Sequence, residues 1–344
     1  MMMTFNCHAQ AREGMKKRVA AVLFLAVAML TGPGGTGESW GQTKIARVGI
    51  LTFFAVKDDP TQALWLEPFR RTLADKGWVE GKNLSVEYQN AHSDPSQFLG
   101  AAAELARLKV DVILATGAPA VRAAYAATRT IPIVANDFTT DPVAEGYVES
   151  YGRPAGNLTG MFLDAPEFAG KWFDLLQAIV PGLSRVAVLW DPSPGPTHLH
   201  AVRRVASSLG VKLQVLEVRT PDDIGKAFSA LRGRPQALII LPSPMIYVQS
   251  ARLAELALKH GLPATSMLRA FADAGGVVAY GPDMTLTFER NADFVAKILG
   301  GAKPGNLPVE RPTKFKLVVN LKTAKALGIT IPESMLLRAD EVIQ

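Results

Sequence analysis

Cysteine is nearly absent: among 344 residues there is one, Cys7. It stands upstream of the chain's only long apolar run, residues 19–30. That run is shorter than the roughly 20 residues needed to cross a bilayer. Lys16, Lys17 and Arg18 precede it, the pattern of a signal peptide with Met15 as its natural start. Cleavage is expected after Gly41, although the usual Ala-x-Ala is missing, so residues 1–41 are read as a leader. A chain cut there keeps no cysteine, which excludes disulfides, thiol catalysis, zinc–thiolate sites and a lipid anchor on Cys7. Charge of one sign is also scarce. The leader carries Arg12, Lys16, Lys17, Arg18, Glu13 and Glu38, so its loss lowers the net charge from +6 to +4. A mild excess spread over a whole chain gives solubility, not a nucleic-acid stripe.

Catalytic fingerprints are missing as well. Gly32, Gly34 and Gly37 match G-x-G-x-x-G, but no strand precedes them and no helix follows. Walker A, H-E-x-x-H and G-x-S-x-G sequences do not occur. Beyond the leader the histidines are His92, His198, His200 and His260. His198 and His200 are two apart at the start of a helix and face different ways, with no Glu or Cys beside them, so no metal is expected. His92 and His260 read as surface residues. No cofactor is expected.

What is present is alternation. "IARVGILTFF" (45–54), "NLSVEYQN" (83–90), "VDVILATG" (110–117) and "TIPIVAND" (130–137) are apolar strand runs separated by helical segments. A helix is expected over 62–76, interrupted by Pro68 and closed by Gly77. The order returns with "SRVAVLWDP" (184–192), "VKLQVLEVR" (211–219), "PQALIILPSP" (235–244) and "LPATSM" (262–267). Thr220, Pro221, Asp222 and Asp223 make a strong helix start between the second and third of these. The class is α/β: two Rossmann-like lobes with parallel doubly wound sheets and a ligand cleft between them. The later pieces are too small for a third domain, so the chain crosses between lobes more than once. The expected N-terminal lobe is 44–156 plus 280–308, and the C-terminal lobe 160–278 plus 313–344. Hinges are expected at 156–160, 279–282 and 308–312.

The ending "LPVERPTKFKLVVNLKTAKALGITIPESMLLRADEVI" (307–343) resembles the end of one family of ABC-transporter substrate-binding proteins, which includes receptors for tryptophan and related compounds. "GWVEGKNLSVEYQNA", "ATGAPAVRAA", "IPIVANDFTTDPVAEG", "GRPAGNLTG" and "KILGGAKPGNLPVE" fall in that family's order and spacing. The resemblance implies the type I periplasmic-binding-protein fold, with three crossovers and a ligand clamped between lobes. It further implies a monomeric periplasmic receptor for a small organic solute (carboxylate, aromatic or amino-acid-like). Its partners would be a membrane ABC permease and that permease's ATPase subunit. Sugar-repressor-like regulators share the fold, but they need an N-terminal helix-turn-helix where this chain has a leader. An exported enzyme or a ligand sensor on the same scaffold is the alternative.

In doubly wound sheets ligands bind beyond the carboxyl ends of the strands, where helix N-termini converge. That places Thr116, Gly117 and Ala118 at the site. One glycine and no cation suit a carboxylate or other polar group better than a phosphate. Phe53 or Phe54 would lie against an apolar ligand. Asp137, Phe138, Thr139 and Asp141 follow the fourth strand. The second lobe offers Asp191, Ser193, Ser243 and Tyr247, and a crossover offers Tyr280 and Asp283. Pro192, Pro194, Pro196, Pro242 and Pro244 stiffen those loops, favouring a preformed pocket. "DPSPGPT" departs from the Asn and Ser of amino-acid-binding relatives, which counts against an amino-acid ligand.

Overall fold

A computed structural model describes residues 45–53, 60–92, 94–163 and 165–344. The expected leader, Cys7 and Phe54 lie outside the described residues.

The first sheet has five strands, all parallel: β1 (Ala46–Thr52), β2 (Leu84–Asn90), β3 (Val112–Thr116), β4 (Ile133–Asp137) and β5 (Leu158–Phe162), in the order β2-β1-β3-β4-β5. Between them run α1 (Pro60–Asp75), α2 (Phe98–Arg107) and α3 (Ala118–Ala127). β3 and β4 are buried almost throughout, as strands covered on both faces must be. α1 continues as one helix through Pro68, where an interruption was expected.

After β5 the chain enters α4 (Ala165–Ile179) and a second sheet. Its strands are β6 (Arg185–Trp190), β7 (Lys212–Glu217), β8 (Ala237–Ile240), β9 (Ala264–Ser266), β10 (Val278–Pro282), β11 (Phe315–Asn320) and β12 (Glu341–Ile343). The order is β12-β11-β10-β9-β8-β6-β7. The helices that accompany it are α5 (Thr197–Ser208), α6 (Pro221–Ser229), α7 (Pro244–Val248), α8 (Ser250–Lys259) and α9 (Arg269–Asp273). α6 begins with the reciprocal capping of Thr220 and Asp223 that its sequence announces.

α10 (Met284–Leu299) returns to the first sheet, packing on α1, β3, β4 and β5. Two ion pairs fasten it to α1: Arg71 with Glu289 and Lys76 with Asp293, each at 2.8 Å. The segment after α10 then runs along β5, where Glu310 N–H donates to the Gly160 carbonyl and Phe162 N–H to the Glu310 carbonyl, both at 2.9 Å. From there the chain re-enters the second sheet as β11 and ends with α11 (Leu321–Ala326), α12 (Glu333–Leu336) and β12. The three crossings therefore fall between β5 and α4, at 283–284 and at 311–314.

Three expectations change. Residues 158–162 form a strand of the first sheet, so the second lobe does not begin at 160. Residues 280–282 end β10 in the second sheet, so the return starts at 283. The second sheet is also not wholly parallel. β11 arrives from the first lobe instead of from a crossover helix on its own sheet, and it pairs antiparallel with β10.

Candidate functional site

A cavity of about 110 Å³ lies where the carboxyl ends of the two sheets meet. Phe53 follows β1, Thr116, Gly117 and Ala118 span the turn from β3 into α3, and Asn136, Phe138 and Thr139 end β4. Opposite them stand Pro242, Ser243, Pro244 and Tyr247 around the start of α7, with Met267 and Leu268 after β9. Trp65 of α1 and Met284 of α10 complete the wall. The volume is somewhat below the ~150 Å³ of an engineered cavity that holds benzene, the scale of a single small ring.

The wall is aromatic and sulfur-rich, surfaces that take an aromatic guest well. Trp65 and Tyr247 face each other from different lobes with ring centroids 4.9 Å apart, and Phe288 supports Trp65 from behind at 6.1 Å. Polar atoms are few and specific. Thr116 Oγ1 and Asn136 Oδ1 are buried without a hydrogen-bond partner among the described residues. Gly117 has φ +89, a left-handed value that glycine adopts without strain, and its N–H donates to the Asn136 carbonyl at 2.9 Å. That conformation turns the first turn of α3 toward the cavity, where helix geometry leaves the Ala118 and Ala120 N–H groups without intrahelical acceptors. A Cβ on Gly117 would lie 3.3 Å from Pro244 Cγ, so the two lobes touch at this turn.

Eight of the expected residues are thus brought together: Phe53, Thr116, Gly117, Ala118, Phe138, Thr139, Ser243 and Tyr247. Ser243 Oγ serves α7, accepting from Ile246 N–H at 3.0 Å. Of the other expected residues, Phe54 lies outside the described residues, and the rest do not line this cavity because their side chains are engaged elsewhere. Asp137 is fully buried and accepts from Thr139 N–H at 2.8 Å, Thr139 Oγ1 at 2.7 Å and Thr140 Oγ1 at 2.5 Å. Burial raises its pKa. It braces the loop beneath the cavity. Asp141 is exposed and caps the turn at Val143 and Ala144. Asp191 accepts from Ser193 N–H at 2.8 Å and Ser193 Oγ at 2.9 Å, so this pair shapes its own loop. Tyr280 stacks between Phe168 and Phe315 at 5.3 and 5.9 Å. Asp283 caps α10 and pairs with Lys316 at 2.9 Å, beside a second cavity of about 580 Å³.

Trp65, Asn136, Met267, Leu268 and Met284 escaped the sequence reading. Asn136 had a signal: a polar residue one place before the carboxyl end of an otherwise apolar strand. Trp65 had none, since an aromatic inside a helix ordinarily marks core. Contacts between the lobes also include His198, which is 4% exposed and whose Nε2 lies 2.5 Å from the Phe138 carbonyl oxygen. Arg122 on α3 donates to the Ser193 and Pro194 carbonyls, each at 3.4 Å. Among the described residues no group of metal-ligating side chains occurs, and no helix is long and apolar enough to cross a membrane.

Comparison with known proteins agrees with this arrangement. The family model for ABC transporter substrate binding proteins matches residues 52–343. A tyrosine-binding protein of Clostridioides difficile is 25% identical over 265 residues, covering 76% of this chain and 75% of that protein. The crystal structure of a conserved domain protein from Vibrio cholerae is 26% identical, with a TM-score of 0.80 over 87% of this chain and all of the other. An ABC domain from Streptococcus pneumoniae in complex with L-Trp is 23% identical, with a TM-score of 0.79 over 87% of this chain and 99% of that one. The matched family and the tyrosine-binding relative are solute-binding proteins, not enzymes. With two crossed-over lobes, a cavity at their strand ends and a family match over nearly all its described length, the chain belongs to the ABC transporter substrate-binding proteins.

Proposed function

We propose that this protein is the periplasmic receptor of an ABC importer, and that it takes a small aromatic solute bearing a polar or anionic group. The observation that carries the reading is the cavity itself. Trp65 and Tyr247 pack on each other across the cleft and together form one aromatic wall of the cavity, against which a ligand ring would lie, and the first turn of α3 directs N–H groups at its edge. A carboxylate placed there meets the helix dipole, worth ~0.3–1 kcal/mol and up to ~2 kcal/mol when partly buried. Charge-assisted hydrogen bonds from the N–H groups add to it. Thr116 and Asn136 then supply partners for a second polar group on the ligand. The tyrosine and L-Trp named for two relatives are aromatic and carry a carboxylate, in keeping with this chemistry.

A thermal-shift screen tests the reading. The panel is L-tyrosine, L-tryptophan, hydroxybenzoates and, as controls, aliphatic amino acids and sugars. A ligand at ~100 times its dissociation constant adds ~2.7 kcal/mol to the native state, so an aromatic acid should raise the melting temperature by several degrees. A response confined to sugars or aliphatic amino acids contradicts an aromatic cavity. For location, the soluble protein recovered by osmotic shock should begin near residue 42 and carry no lipid.

A further inference from the structure

His198 opens α5 in the second lobe, while the carbonyl it meets belongs to Phe138, at the end of β4 in the first. The carbonyl can only accept, so His198 Nε2 carries the proton and donates across the cleft at 2.5 Å. Its other nitrogen, Nδ1, is buried without a partner among the described residues, and the ring lies 5.7 Å from that of Trp172. Phe138 is at the same time a wall of the cavity. The hydrogen bond therefore joins the two lobes and fixes a residue the ligand would touch.

We propose that His198 is a positioning residue for ligand capture: as a neutral imidazole it latches the closed lobes through the Phe138 carbonyl, and protonation in acid releases them. The inference rests on the reading that the lobes close over a solute.

In the closed form a proton on Nδ1 would be shut off from solvent with no acceptor among the described residues. Burial holds the pKa of His198 down at about 4 accordingly. With the lobes apart the ring regains water and an ordinary value near ~6.5. The sign follows from this difference. The closed state binds fewer protons, so closure is fully favoured above the open-state pKa and loses ground as pH falls below it. Between pH 8 and pH 5.5 the closing equilibrium should fall by about tenfold. Other ionisable groups stand on the surrounding elements: Asp137 beside Phe138, Asp191 before α5, Lys171 and Asp174 on α4, His200 and Arg203 on α5, and Arg122 on α3. None of them contributes to the His198 shift, which comes from burial and then from the Phe138 carbonyl. Asp137 is the rival titrating group, since burial raises its pKa as well.

The test places nitroxide labels on the full chain at Leu99→Cys in the first lobe and Glu255→Cys in the second, with Cys7→Ser to leave no other thiol. Distance distributions are recorded from pH 8 to pH 5.5 for this protein and for its His198→Gln variant. Glutamine retains an N–H donor for the Phe138 carbonyl but does not titrate. The wild-type ratio of closed to open molecules should drop by about tenfold, and the His198→Gln ratio should stay level. A wild-type distribution that does not move with pH overturns the proposal, and this arm stands by itself if the variant fails to fold. A His198→Gln protein that follows the wild-type slope overturns it too, assigning the proton to Asp137 or another group. A second arm measures L-tyrosine affinity over the same range, expecting about tenfold weaker binding at pH 5.5. If tyrosine does not bind at all, the choice of ligand is wrong, while the distance measurement still decides the latch.

Discussion

Thr116 and Asn136 present the cavity with buried oxygens that no described residue satisfies. A buried polar atom without a partner costs about 1–3 kcal/mol, so closing the lobes over these atoms is unfavourable unless a ligand meets them. The expectation is specific. Thr116→Val removes the hydroxyl at nearly constant shape, so the stability of the free protein should change by less than ~1 kcal/mol. Affinity for the aromatic ligand should fall at least tenfold, about 1.4 kcal/mol. Chemical denaturation beside calorimetric titration checks both. A variant that loses stability and keeps its affinity would show that Thr116 belongs to the scaffold alone. Thr116, Gly117 and Ala118 were legible in the sequence because a strand, one glycine and a proline-led helix define a turn without tertiary information. Asp137, Asp191 and Asp283 were not. A carboxylate in a loop looks the same whether it meets a ligand or its own backbone, and here it accepts from Thr139, Ser193 and Thr285 respectively.

At the scale of elements, β5 is the instructive case. "LTGMF" holds a glycine at its centre, which in sequence reads as a turn between lobes. In the structure Gly160 is where β5 and β4 come closest: its φ is +133, and a Cβ there would lie 2.1 Å from the Ala135 carbonyl oxygen. Only hydrogen fits, so the glycine permits the pairing instead of ending it. Gly160→Val should therefore cost more than about 3 kcal/mol, and it should also loosen the 310 segment that bonds to β5. Gly170→Ala on α4, where nothing lies within 4 Å of the added methyl, should instead stabilise by about 1 kcal/mol. Urea melts of the two variants measure the contrast. Equal effects would mean that the close approach at Gly160 is relaxed in solution. The antiparallel β11 was hidden for a different reason. Strand direction in a sheet depends on which lobe the chain comes from, and no local pattern records that.

For the whole molecule, the crossings between β5 and α4, at 283–284 and at 311–314 lie a few residues from the expected hinges, and rotation of the two lobes about these three connections is the expected motion. Closure should appear in small-angle scattering as a smaller radius of gyration at saturating ligand. The strand–helix alternation made the two lobes legible. What closes between them was not, because Trp65, Phe138 and His198 meet their partners across a cleft that exists only in three dimensions. On this reading the lobes close on an aromatic ring that lies against the wall formed by Trp65 and Tyr247. Calorimetric titration of the wild-type protein and of Trp65→Ala with the aromatic acid that most raises the melting temperature tests it most directly. The expected result is one site per chain in the wild type and a loss of affinity of at least tenfold in Trp65→Ala, both proteins being folded. Binding of equal strength in the two proteins would contradict it.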